Sequence, residues 1–194
     1  LIAEINCETD FVGRDENFLK FADTVAEQAL AAQETNIEAI VALPVAAGSD
    51  VTIEQSRQEL VAKIGENIQI RRVKIVSSDH ALAQYRHGNK IGVLVKLSTD
   101  NIDLGKDVAM HIAASRPDAI SPDEISQDLI AKEREIFMAQ AADSGKPPEI
   151  VAKMVEGRIS KFLNEVSLLG QPFVKDPAIS VGTLVSKANS KVLA

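Results

Sequence analysis

The sequence predicts an α+β fold: two related strand-and-helix subdomains with a protruding antiparallel coiled-coil hairpin. Three observations carry this. Short runs of strand character, at residues 1–6, 67–76, 81–86 and 90–97, alternate with longer segments whose apolar residues recur every three or four positions. Residues 1–10 overlay residues 91–100, strand on strand, with Thr9-Asp10 on Thr99-Asp100 and a helix after each pair. Val155, Ile159, Phe162, Val166 and Leu169 are spaced by four, three, four and three, which is the seam of a coiled coil. The expected boundaries are residues 1–78 for the N-terminal core subdomain, 79–120 with 170–194 for the C-terminal one, and 121–169 for the hairpin.

Residues 1–6 read as a buried strand. Asp15 is a good cap, and Phe18, Phe21, Ala22, Val25 and Ala29 mark one face of a helix running to about Ala32. Residues 37–43 form a short helix stopped by Pro44. Thr52 and Gln55 make a capping box for a second long helix, striped by Ile53, Leu60, Val61 and Ile64 and ended by Gly65. In residues 67–76 Ile68 and Ile70 keep one phase while Val73 and Ile75 keep the other, so a bulge is expected at Arg71-Arg72. His87-Gly88-Asn89 is a hairpin turn between two strands. Leu104, Val108 and Ile112 mark a helix closed by Pro117.

From Ser121 the character changes. Ser121-Pro122-Asp123-Glu124 is a helix start, followed by a thin stripe of Ile125, Leu129 and Ile136. Residues 144–148, Ser-Gly-Lys-Pro-Pro, break that helix, and a second begins at Glu149. The short connection folds the two back on each other, and so narrow a stripe buries one side only, so the hairpin is expected to touch a partner or a second copy. Residues 181–189 give one more short helix, and residues 192–194 read as the beginning of a strand.

Composition limits the function classes. The 194 residues carry a formal charge of −7, which disfavours nucleic acid as the main partner. The single cysteine, Cys7, excludes an internal disulfide and fits a reducing compartment. No apolar run approaches the roughly 20 residues of a membrane span. A cytoplasmic protein is expected, and since Leu1 is not a start methionine, a piece of a longer chain.

Catalytic constellations are missing. His80, His87 and His111 share no metal-ligand spacing with one another or with Cys7, and no glycine loop suited to phosphates occurs. Cys7 as a nucleophile would need a histidine brought in by the fold, whereas a small buried residue after a strand is its ordinary role. His111 is either a core-edge histidine or a contact residue. No cofactor, metal or directly bound nucleotide is expected, and the chain reads as a binding protein rather than an enzyme.

The stretch Thr9-Asp10-Phe11-Val12 lies on the connection between the first strand and the first long helix. Phe11 falls outside any periodic apolar face. Chemistry alone favours a core role beside Phe18 and Phe21, and the other reading is an exposed wedge aimed at another protein.

Seven ordered segments then carry a resemblance: EINCETDFV at 4–12, KIGENIQIRR at 63–72, HGNKIGVLV at 87–95, MHIAASRP at 110–117, SGKP at 144–147, MVEGR at 154–158 and GQPFV at 170–174. Together they resemble the elongation factor Ts family, the guanine-nucleotide exchange factors of bacterial elongation factor Tu. The resemblance implies a two-subdomain core with a protruding coiled coil, and a chain lacking the family's N-terminal helical domain and C-terminal end. It implies elongation factor Tu as partner, with Thr9, Asp10, Phe11 and Val12 meeting the GTPase and dislodging its magnesium, and the Phe11 ring inserted between its helices. Ile91, Gly92 and His111 are further implied contacts. Exchange of GDP for GTP is the implied activity. The alternative class is a structural or assembly module that forms a homodimer through the coiled coil.

Overall fold

The computed structural model describes residues 1–142 and 147–194, which fall into two compact units. The first comprises Leu1–Asp79 with His87–Gly92, and the second His80–Arg86 with Val93–Ala194.

In the first unit, β1 (Ile2–Asn6) pairs antiparallel with β2 (Gln69–Lys74). Glu4 stands opposite Arg72 and Ile5 opposite Ile70, so Arg71 is the extra residue of the expected bulge. Helices α1 (Glu16–Ala32), α2 (Ile37–Ala42) and α3 (Ile53–Ile64) pack with this ribbon. Each start follows from its cap. The Asp15 carboxylate accepts from the amides of Asn17 and Phe18 at 2.8 and 3.2 Å, and the Thr52–Gln55 box is closed in both directions. Gly65 ends α3 at φ 82°, a left-handed conformation that a Cβ would strain. Val25, Ala29, Ile40, Ile53 and Ile68 are wholly buried in the resulting core, with Val12, Phe18 and Phe21 around them.

In the second unit, β3 (Leu82–His87) and β4 (Ile91–Lys96) form a two-stranded sheet whose turn and flanks, His87–Gly92, group with the first unit. Helix α4 (Ile102–Ser115) starts on Asn101, whose side chain accepts from the Leu104 amide at 3.0 Å. Leu193 donates its amide to the Lys96 carbonyl at 2.8 Å, and Lys96 donates to Ala194 at 2.7 Å, so the last residues do run as an extended segment along β4.

The helix predicted from Ser121 is corrected by the structure. Pro122–Glu124 makes one 3₁₀ turn, and Ile125 turns extended to bury its side chain. Helix α5 begins only at Gln127 and runs to Ala142, with the Ser126 hydroxyl accepting from the Leu129 amide at 3.3 Å. Of the predicted stripe, Ile136 is exposed; Ile130, Phe137 and Ala141 face α6 (Pro148–Val166) instead. The α6 side of that contact is Val151, Val155, Ile159 and Leu163, a stripe advancing by four each time, of which Val155 and Ile159 are buried and Val151 and Leu163 half-buried. Arg134 ion-pairs with Glu156 across the two helices, and the Arg158 guanidinium lies 5.8 Å from the centre of the Phe137 ring. Of the expected breaker at residues 144–148, residues 144–146 lie outside the described residues, while Pro147 caps α6 and Pro148 opens it. Sequence periodicity had no purchase on the short ribbon β5 (Pro172–Phe173) and β6 (Asp176–Ser180), which leads into α7 (Val181–Lys187).

Candidate functional site

Beyond β1 the chain enters a tight turn. The Thr9 carbonyl accepts from the Gly13 amide at 3.1 Å, the Phe11 carbonyl from Arg14 at 3.1 Å and the Val12 carbonyl from Asp15 at 2.9 Å. The result is a 3₁₀ turn over Val12–Arg14, with Phe11 in helical backbone conformation at its entrance. Within the turn itself no residue takes a positive φ.

The two sides of that turn differ sharply. The Phe11 ring is 88% exposed, whereas Val12 is 7% exposed and packs with the first core. The core place that chemistry alone offered Phe11 is held by Val12, with Phe18 and Phe21 from α1. Two expectations change with this. Phe11 is not a core residue, and Val12 has almost no surface left with which to meet a partner.

Side chains distant in sequence fix the turn. Glu66, directly after Gly65, accepts from the Glu8 amide at 3.2 Å, the Thr9 amide at 3.0 Å and the Thr9 hydroxyl at 2.6 Å. Thr9 Oγ1 in turn accepts from the Val12 amide at 3.4 Å. From the β3–β4 turn, Asn89 Nδ2 donates to the Gly13 carbonyl at 2.7 Å and Lys90 Nζ to Asp10 Oδ2 at 2.9 Å. The hydrogen bond from Lys90, and then its charge, hold the Asp10 carboxyl below the usual carboxylate range. Ile91, half-buried, and Gly92, exposed, follow Lys90 in the chain, so Thr9, Asp10, Phe11, Ile91 and Gly92 belong to one unit.

His111 lies in the other unit and is wholly buried. Its Nδ1 accepts from the Val174 amide at 3.1 Å, which leaves the ring proton on Nε2 to donate to Gln171 Oε1 at 2.9 Å. Of its two sequence readings, the structure shows the packed one; a ring with no exposed surface and both nitrogens engaged offers nothing to a partner directly.

Burial pushes the Cys7 thiol up, and the charges of Glu66 and Asp10 push it further, so Cys7 is held as a thiol, donating to the Thr9 carbonyl at 3.3 Å. Among the described residues no group of three His, Cys, Asp or Glu is arranged to hold a metal, and no helix is long and apolar enough to cross a membrane. Sequence reasoning missed Glu66, Asn89 and Lys90 as builders of the site. Two of the quoted segments, 63–72 and 87–95, contain them, but residue type alone does not reveal which loop each reaches.

The sequence model of the elongation factor TS family matches residues 8–194. An elongation factor Ts of Legionella pneumophila is 52% identical over 193 residues, covering 100% of this chain and 65% of the relative. One from Coxiella burnetii is 51% identical over 193 residues with the same coverage, and one from Alcanivorax borkumensis is 54% identical over 192 residues, covering 99% of this chain and 67% of the relative. The chain thus spans 65% of the length of the Legionella and Coxiella relatives.

Proposed function

From the finding that the chain belongs to the elongation factor Ts family, we propose that it binds elongation factor Tu carrying GDP and promotes release of that GDP, and that Phe11 is the group that does so. The observation supporting this is the 88% exposure of the Phe11 ring on a turn held from three directions.

The physics is linkage. A factor that prefers the nucleotide-free GTPase over its GDP-bound form must weaken GDP binding by the same ratio. Burying a phenylalanine is worth roughly 1.5–3 kcal/mol, so a pocket open only in the distorted partner supplies such a preference. Magnesium bridges and neutralises phosphate oxygens, and displacing it loosens GDP. Thr9 and Asp10 flank the ring as polar contacts, and Ile91 and Gly92 extend the same face. Residues 121–169 form the arm that reaches a second surface of the GTPase, while 1–78 and 79–120 with 170–194 act as its two core subdomains. The protein acts in the cytoplasm, binds no nucleotide itself and breaks no bond.

The test is release of labelled GDP from elongation factor Tu. Phe11→Ala slows release while the melting temperature of the chain stays within a degree or two. Equal loss of both sinks the wedge. A second reading, self-association through the arm, draws on the exposed side chains of Ile136, Met138 and Ile150. Light scattering separates the two: a dimer dispersed by Ile136→Lys with Met138→Lys, at unchanged GDP release, makes the arm an oligomerisation device.

A further inference from the structure

We propose that Glu66 is a positioning residue for Phe11. The assignment rests on the wedge reading above and deepens it. One carboxylate takes three donors from the turn: the amides of Glu8 and Thr9 and the Thr9 hydroxyl, the last at 2.6 Å. Hydrogen bonds to an ionised acceptor are among the stronger ones a side chain makes. Having donated to Glu66, the Thr9 hydroxyl uses a lone pair to accept from the Val12 amide at 3.4 Å. The chain of contacts therefore runs Glu66, Thr9, Val12 and passes around Phe11 on both sides. Gly65 makes this reach possible, because its left-handed φ of 82° turns the chain out of α3 immediately before Glu66.

The ring itself has little else to hold it. At 88% exposure it makes few contacts with its own chain, so its direction is set by the backbone that Glu66 anchors. A loop that visits the presenting conformation only part of the time binds with its affinity reduced by that fraction. Losing the anchor should therefore raise the concentration of factor that half-saturates GDP release by about tenfold and leave the release rate at saturation in place.

The experiment uses the whole chain and elongation factor Tu loaded with labelled GDP, with Glu66→Ala, Glu66→Gln, Phe11→Ala and the Glu66→Ala, Phe11→Ala double variant. In the chain alone, Glu66→Ala speeds hydrogen exchange at the Thr9 and Val12 amides and leaves the β1 amides at their parent rates. In GDP release, Glu66→Ala raises half-saturation about tenfold, Glu66→Gln, which keeps an acceptor oxygen, recovers most of it, and Glu66→Ala adds nothing further to Phe11→Ala. Parent-like exchange and parent-like half-saturation in Glu66→Ala overturn the assignment, as does a full additional loss in the Phe11→Ala background. Should Phe11→Ala itself release GDP at the parent rate, the wedge reading falls and this assignment falls with it.

Discussion

Phe11 and Val12 share a peptide bond and live in opposite environments: the ring of one is 88% exposed, the side chain of the other 7% exposed among Phe18, Phe21 and Ile70. The pair predicts a crossed result. Phe11→Ala, removing a side chain that packs on little, changes stability by no more than about 0.5 kcal/mol. Val12→Ala removes two buried methyl groups and costs on the order of 2 kcal/mol. Urea denaturation measures both. Comparable losses would mean that the ring is folded back onto its own core.

Gly105 is a close approach between α4 and β3. A Cβ there would stand 2.5 Å from the Ala83 Cβ, and the Ala83 Cα is only 3.8 Å away. Alanine normally favours a helix over glycine by about 1 kcal/mol, but the Ala83 Cβ is fixed to the β3 backbone and has no rotamer by which to yield. Gly105→Ala should therefore destabilise by about 1–3 kcal/mol, and Ala83→Gly added to it should restore much of the loss. A stabilised Gly105→Ala would show that the helix can slide off the sheet.

What the sequence disclosed and withheld has a physical pattern. Local rules read well where the interacting groups are local: Asp15 and the Thr52–Gln55 box cap their own helices, Gly65 ends its own, and the phase slip at Arg71 becomes a bulge. At Ser121 an equally strong local signal lost, because burying Ile125 requires extended backbone there, and α5 restarts on Ser126. That shift moved the contact stripe from Leu129 and Ile136 to Ile130, Phe137 and Ala141. The site divides in the same way. Phe11 stood out because it broke a pattern, whereas Glu66 lies 57 residues from the Thr9 it anchors, and nothing in residue type or spacing announces such a bond.

Acid should weaken the first unit in part through Glu54. The hydrogen bond from Arg57 lowers the Glu54 carboxyl below its usual value, outweighing partial burial, at Nε–Oε2 and Nη2–Oε1 distances of 2.8 and 2.6 Å. A carboxylate depressed in the folded state contributes stability above its unfolded value, and that contribution is lost as pH falls through the folded value. The parent should therefore melt above Glu54→Gln at neutral pH, and the gap should close as pH drops below about 4, under the unfolded value for glutamate. A gap that stays constant down to low pH would show that Arg57 gains nothing from the Glu54 charge. Arg57 would then act mainly through its bond to the Ile68 carbonyl at 2.9 Å.

His111 joins three elements of the second unit. Its imidazole takes the Val174 amide and gives to Gln171, and Gln171 Nε2 donates to the Glu165 carbonyl in the last turn of α6 at 2.8 Å. Removing the ring leaves a cavity, an unpaired amide and an unpaired side-chain oxygen, so His111→Ala should cost about 3 kcal/mol. Gln171→Ala should cost about 1–2 kcal/mol, and the double variant less than the sum, since each single change already breaks their shared bond. Burial sets the functional expectation. At a temperature where His111→Ala is fully folded by circular dichroism, its GDP release should match the parent, because the ring has no surface from which to touch a GTPase. Release slowed by an order of magnitude in that folded variant would place His111 at the partner after all, and would require α4 and the Gln171–Val174 segment to part when the complex forms.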